Sequence, residues 1–141
     1  MAAREYILAI DYGSKRVGVA IAHKIARLPR PLTTLQASEQ LFTDIQRIVE
    51  EERVGLVVVG VPRTMDGSES KQSHVCEAFA RELSGVLAVP VRTADETLSS
   101  EEAESALRAL GKDYSKSDID AMSAALILER YFDEEGDNNG I

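Results

Sequence analysis

Three parts of the chain each place an acidic side chain where it calls for an explanation: Asp11, the pair Asp95-Glu96, and the pair Asp118/Asp120. Asp11 follows the apolar run YILAI and keeps step with Ile7 and Ala9 by the strand period of two, so its carboxylate should share their face of a sheet. Burying a lone carboxylate there is costly unless something positive stands against it. Asp-Tyr-Gly is also ordinary turn chemistry, which would make Asp11 the opening of a hairpin loop. Asp95 and Glu96 follow the strand VPVRT at its carboxyl end, the usual place for a ligand in an open α/β sheet. Neighbouring strand residues point to opposite faces, so one of the two can reach a common site, and acids are in any case favoured before a helix. Asp118 and Asp120 lie near the start of an alanine-rich segment and about 200° apart around a helix, so they cannot both face one spot. Ser117 with Asp120 resembles a capping box, and Asp118 is a second capping candidate.

One acid from each part would give an oxygen-only donor set, which suits hard divalent cations. Mg²⁺ binds through a few carboxylates plus substrate phosphates and keeps several waters. Two such ions about 3.5–4 Å apart can activate a water and stabilise the leaving oxygen of an in-line displacement at phosphorus. Lys15 and Arg16 follow Asp11 closely in sequence and are candidate phosphate contacts.

The elements that must position these groups can be read from periodicity. YILAI and RVGVAIAH flank a Gly-Ser-Lys turn and predict an antiparallel hairpin, with PLTTL at 31–35 as a third strand. Ser38 looks like the N-cap of an amphipathic helix over 39–52, with Leu41, Ile45, Ile48 and Val49 on its apolar face. LVVVGV at 56–61 reads as a strand buried on both faces, ended by Pro62. After a turn centred on Asp66-Gly67, Ser68 is the expected cap of a helix with Val75, Phe79 and Leu83 as its stripe and Gly85 as its stop. VPVRTAD at 89–95 is a short strand. Ser99 and Glu102 form a capping-box pattern before a helix ended by Gly111. A largely buried helix occupies 117–132. The order is βββαβαβαα: an antiparallel meander, then right-handed βαβ crossovers, giving an α/β domain with a mixed sheet and helices on both faces.

The 141 residues, 44% hydrophobic, suffice for one domain with one sizeable core, expected over 1–133 with a disordered acidic tail over 134–141. One cysteine, Cys76, excludes an internal disulfide, and with His23 and His74 it offers no zinc-ligand spacing. The chain reads as reduced and cytoplasmic. Its start, MAAREYILAI, has too short an apolar run for a signal segment or a membrane span. The net charge of −8 argues against a phosphate-bearing partner, but residues 1–36 hold six Lys/Arg against two acids and form a basic island.

The segments IDYGSKRVGVAIA, VVVGVPRTMDGSES, ADETLSS and DIDAMSAALILERYF, in this order and at these spacings, resemble the YqgF/RuvX family of ribonuclease H-like proteins. The resemblance spans about residues 7–133. It implies a ribonuclease H-like fold, five-stranded with helices on both faces, and a metal-dependent nuclease. Such proteins are described either as Holliday junction resolvases or as the nuclease that processes the 5′ end of pre-16S rRNA. Carried over position by position, the family's acidic residues fall on Asp11, Glu96 and Asp120, which selects Glu96 over Asp95 and Asp120 over Asp118. Thr97 stands where the family usually has arginine, so a positive charge expected beside the site is missing. The Gly-Val-Pro-Arg-Thr-Met-Asp-Gly-Ser loop matches the family's second signature, and Arg63 within it could position a nucleic-acid strand.

The expectation is therefore a phosphodiesterase in which Asp11, Glu96 and Asp120 hold one or two Mg²⁺ or Mn²⁺ ions, with Lys15, Arg16, Arg63 and Lys116 as nucleic-acid contacts. No histidine is required as a base, because the metal acidifies the attacking water. Precursor rRNA is the favoured substrate and ribosomal particles are possible partners. Branched DNA is the alternative and would require a symmetric dimer, whereas one active site suffices for trimming RNA. An Asp-x-Gly-Ser hairpin also opens the sugar-kinase, actin and Hsp70-like ATPases, but these need two such domains and a second phosphate loop. A catalytically silent member that binds RNA, ribosome or transcription machinery is the non-enzymatic alternative.

Overall fold

The computed structural model describes residues 3–63, 70–96, 99–111 and 113–139, with backbone alone at 99, 100 and 136–139. Strands β1 (Tyr6–Tyr12), β2 (Arg16–His23) and β3 (Arg30–Gln36) come first. Helix α1 (Leu41–Glu51), β4 (Val54–Val61), α2 (Lys71–Val86), β5 (Val91–Asp95), α3 (Ser99–Ala109) and α4 (Lys116–Asn139) follow. The five strands form one sheet in the order β3-β2-β1-β4-β5. β1, β2 and β3 pair antiparallel, while β4 and β5 add parallel to β1 on its other side. The carboxyl ends of β1, β4 and β5 therefore share one edge of the sheet. The βββαβαβαα order and the mixed five-stranded sheet agree with the reading from periodicity.

The two faces of the sheet carry different side chains because each receives a different helix. Leu8, Ile10, Val17, Val19, Ile21, Val57 and Val59 pack against Leu41, Ile45, Ile48 and Val49 of α1 and Phe79, Ala80 and Leu83 of α2. A fully buried Leu or Ile side chain there contributes about 1.5–3 kcal/mol. On the other face Ile7, Ala9, Ala20, Ala22, Val58 and Ala94 meet Ala124, Ala125, Ile127, Leu128, Tyr131 and Phe132 of α4. Alanine on both sides lets this helix lie close to the strands. The approach is tightest at Gly18, which pairs with Asp11 across β1 and β2. A Cβ on Gly18 would overlap the main-chain carbonyl of Asp120.

Local starts and stops depart from the sequence reading in several places. Ser38 does not cap α1: its hydroxyl accepts from the Gln40 N–H at 3.2 Å within a turn, and the helix begins at Leu41 behind Gln40. α2 is capped by Ser70, whose hydroxyl accepts from the Ser73 N–H at 3.1 Å while Ser73 Oγ takes the Ser70 N–H at 2.8 Å. Ser68, Asp66 and Gly67 lie outside the described residues. Val75 is 42% exposed, and the buried stripe of α2 is Ser73, Cys76, Phe79, Ala80 and Leu83. Gly85 does not stop α2, which continues to Val86. Gly111, with φ of +70°, does follow the end of α3 as expected. The Ser99 cap falls on a side chain outside the described set. α4 runs on through Asn139, past residue 133 where the acidic tail was expected to begin. Among the described residues no helix is long and apolar enough to cross a membrane.

Gly18→Ala should therefore lower stability by about 2–3 kcal/mol, because two rigid backbones must separate to admit one methyl group. Chemical denaturation of the variant beside wild type measures this.

Candidate functional site

The shared carboxyl edge of β1, β4 and β5 brings acids together from distant parts of the chain. Asp11, the penultimate residue of β1, lies on the α4 face with Ile7 and Ala9, as the period of two requires. Glu96 follows β5, its N–H donating to the Val61 carbonyl at 3.3 Å, and by the same alternation it shares the face of Ala94. Asp95 falls on the opposite face. The Glu96 carboxyl rests over Gly60 of β4, where an added Cβ would meet its Cδ and Oε2 at 3.0 Å. Gly60 thus makes room for an acid, a requirement the apolar run LVVVGV did not disclose.

Asp120 arrives on the first turns of α4. The cap of that helix is Ser115, not Ser117: Asp118 Oδ2 accepts from the Ser115 N–H at 2.8 Å, and Ser115 Oγ accepts from the Asp118 N–H at 3.3 Å. Capping occupies Asp118 and leaves Asp120 to face the strands. The signal was present in the sequence as Ser115-x-x-Asp118, one box earlier than the one read there. Arg16 Nε, at the start of β2, donates to Asp120 Oδ2 at 2.6 Å.

Burial dominates the electrostatics of Asp11 and Glu96. Glu96 is pushed up to about 10, first by burial and then by the hydrogen bond and negative charge of Asp11. Asp11 is also raised, by burial and then by the charge of Asp120, with the bond from Glu96 acting in the opposite direction. The protonated Glu96 carboxyl thus donates to the Asp11 carboxylate, and one proton holds the pair together. Cys76, buried beside them on α2, is raised to about 12 by burial and then by Glu96, so it stays a neutral thiol rather than a thiolate ligand. Arg130 of α4 opposes the rise at Glu96 and itself donates to Glu102 at 2.6 Å. It supplies positive charge near Glu96; Thr97 lies outside the described residues.

The structure joins Asp11 to Glu96 and brings Asp120 within electrostatic reach of Asp11, with its carboxylate turned onto Arg16. Among the described residues no three His, Cys, Asp or Glu side chains are gathered closely enough to hold a metal ion as they stand. Of the four expected nucleic-acid contacts, Lys15 and Lys116 are exposed on the surface. Arg16 is engaged with Asp120, and Arg63 lies 3.6 Å from Glu77. Residues 64–69 of the signature loop lie outside the described set. Sequence reasoning missed Gly18, Gly60, Cys76 and Arg130 as shapers of this edge. A glycine or an arginine gives no periodic signal, and their roles depend on which elements meet.

A mixed sheet in the order 3-2-1-4-5, with acids at the carboxyl ends of its parallel strands and a helix bringing another acid across β1, defines a ribonuclease H-like protein. RuvC of Thermus thermophilus, solved with a Holliday junction substrate, has this fold, with a TM-score of 0.57 at 15% identity over 93% of this chain and 96% of that one. The fowlpox virus Holliday junction resolvase superposes with a TM-score of 0.53 at 11% identity over 92% and 99% of the two chains. The chain belongs to the RuvX family, described as "Holliday junction resolvase", whose model matches residues 5–134. A relative from Chloroflexus aurantiacus named "Putative pre-16S rRNA nuclease" is 43% identical over 138 residues, 95% of this chain and 90% of that protein. One of the same name from Shewanella denitrificans is 37% identical over 97% of this chain and 100% of its own length.

The Asp11–Glu96 proton has a consequence for stability. The folded chain retains a proton that the unfolded chain releases near the ordinary glutamate value of 4.5, so unfolding releases protons at any pH between that value and about 10. In EDTA, stability should therefore fall as pH rises through this window. Glu96→Gln keeps a donor facing Asp11 and removes the titration, so its stability should vary less with pH and exceed that of wild type at pH 9. Urea midpoints at pH 5, 7 and 9 test both expectations.

Proposed function

We propose that this chain is a metal-dependent nuclease that hydrolyses phosphodiester bonds at the edge formed by β1, β4 and β5, with Asp11, Glu96 and Asp120 as its acidic centre. The observation that carries this reading is the Asp11–Glu96 pair: two carboxyl groups brought against each other from β1 and the end of β5, Glu96 buried and Asp11 half-buried, each raising the need for a positive partner. The donor set fits Mg²⁺ or Mn²⁺. It is all oxygen, it contains no thiolate, and it has an acid from a third element beside it. Arg16 engages Oδ2 of Asp120, which leaves Oδ1 to complete the set.

One or two divalent cations held there would supply Lewis acidity at phosphorus and make the attacking water acidic near neutral pH. The rest falls to side chains. Asp11 and Glu96 would hold such a cation as two carboxylates, the proton of Glu96 passing to solvent on its binding. Arg16 holds Asp120 in place through a charge-assisted bond. Ile127 and the alanine face of α4 keep bulk water from the inner side of the carboxylates, which strengthens every charge interaction there. Lys15 and Lys116, exposed and cationic, and Arg63 are the contacts for substrate phosphates.

The substrate proposed is precursor 16S rRNA, cut near its 5′ end by a single active site. The names of relatives at 43% and 37% identity over nearly the whole chain support this choice. Resolution of a Holliday junction is the second reading, favoured by the family description, and it would require two sites in a symmetric dimer.

Labelled precursor rRNA, unstructured single-stranded RNA and a synthetic four-way junction, each incubated with Mg²⁺, Mn²⁺ or EDTA, should separate these readings. Cleavage near the rRNA 5′ end is expected with either metal. It should be lost in EDTA and reduced at least about a hundredfold in Asp11→Asn, since such a metal centre supplies several kcal/mol of transition-state stabilisation. Persistence in EDTA would refute the metal mechanism, and paired symmetric nicks confined to the junction would replace the rRNA reading with the second.

A further inference from the structure

Ser123 has no part in the chemistry above, yet it is fully buried on α4 and its hydroxyl has no hydrogen-bond partner among the described residues. An unpaired buried hydroxyl costs about 1–3 kcal/mol. A serine inside a helix ordinarily escapes that cost by donating to the carbonyl four residues earlier. Alanine occupies the nearby buried positions 121, 124 and 125. A fourth alanine would fill this position without the orphaned group, so packing alone gives no reason for serine here.

Its place on the helix supplies one. At about 100° per residue, Ser123 lies about 60° around α4 from Asp120 and about 40° from Ile127. Asp120 lies over Gly18, the cross-strand partner of Asp11. Ile127 occupies the space over Gly60 that the Glu96 carboxyl also borders. Ser123 therefore stands on the stripe of α4 between the Asp11 and Glu96 sides of the carboxylate cluster, facing inward.

We infer that Ser123 is a positioning residue whose hydroxyl holds a water in the hydration shell of the cation bound by the carboxylates. The inference rests on the metal reading given under Proposed function. Mg²⁺ and Mn²⁺ bound through a few carboxylates retain several waters, and each buried water needs two to four polar partners. A hydroxyl can both accept from such a water and donate to a carboxylate. Ser123 then acts on the cation only through that water, and its hydroxyl finds its partner when the site is filled.

The test compares wild type, Ser123→Ala and Asp11→Asn by calorimetric titration with Mn²⁺ alone and by thermal midpoint in EDTA. Ser123→Ala should melt in EDTA at or above the wild-type temperature, because it removes an orphaned group. It should bind Mn²⁺ about tenfold more weakly, the usual scale for losing an outer partner of a metal site. Asp11→Asn should lose saturable binding. If wild type binds Mn²⁺, Asp11→Asn does not, and Ser123→Ala binds as tightly as wild type, this inference falls while the metal reading stands. A lower midpoint for Ser123→Ala in EDTA would overturn it too, since the hydroxyl would then have a structural bond in the metal-free protein. Absence of saturable Mn²⁺ binding to wild type would remove both.

Discussion

The close approach of α4 to β2 at Gly18 is the constraint on which the rest of the site depends. A main-chain carbonyl of the helix occupies the volume where any other residue would carry a Cβ, so α4 can reach this depth only over glycine. The alanines of β1, β2 and β5 extend the same clearance along the helix. Because Gly18 is the cross-strand partner of Asp11, the point of closest approach is also the point where the helix delivers Asp120 beside Asp11. The opposite face, built from leucine, isoleucine, valine and phenylalanine, carries most of the large apolar side chains and can hold the fold while the alanine face is given over to precision.

That arrangement concentrates acids where solvent is scarce, and the protein meets the resulting repulsion with two different devices. Asp120 is neutralised by a short ion pair with Arg16, a residue at the mouth of the hairpin that Asp11 opens. Glu96 and Asp11 share a proton. A guanidinium is a permanent partner, whereas a proton can be exchanged for another positive species at the same oxygens. Under the proposed function, this asymmetry lets one cluster be stable in the folded chain and still exchange its proton for a cation. It also gives Arg16 a different part from that of Lys15, although the two are adjacent in sequence and looked equivalent as phosphate contacts.

Much of this frame was legible beforehand, because it follows from short-range periodicity. The direction of Asp11 came from Ile7 and Ala9 by a count of two, the order of strands and helices from alternating runs and turn residues, and the buried character of α4 from its composition. Choosing Glu96 over Asp95 and Asp120 over Asp118 needed family resemblance, yet each choice has a local physical cause. Glu96 is in phase with the buried Ala94, and Asp118 is consumed as the cap partner of Ser115. The caps of α2 and α4 were misplaced for one reason: where several serines precede a helix, propensity allows any of them, and the choice falls to the one whose hydroxyl meets a free N–H, as Ser70 does with Ser73, whereas α1 has no side-chain cap at all. Val75 was assigned to the core because Val75, Phe79 and Leu83 repeat every four residues. The sheet lies one residue further round, where Cys76, Phe79, Ala80 and Leu83 face it. What no count could supply is the meeting of elements, and so the glycines beneath Asp120 and Glu96 and the charge brought by Arg130 were not foreseen.

The excess of acid in the chain, −8 overall, also changes meaning once it is placed in space. Negative charge on a helix surface repels a polyanion in proportion to its exposure, and salt screens it over about 10 Å. In the Asp11–Glu96 pair the proton held by the buried Glu96 silences one of the two charges, so the pair adds one negative charge to that field and not two. Arg16 and Arg130 stand on the flanks of the pair, each already bonded to a different acid. A phosphate approaching Asp11 and Glu96 thus meets a pair that carries one negative charge while Glu96 is protonated, and two once it is not. In the proposed mechanism, a cation at these oxygens reverses the second condition. Affinity for nucleic acid would then follow occupancy of one buried site more closely than the net charge of the surface, which reconciles an acidic chain with a phosphate-bearing substrate.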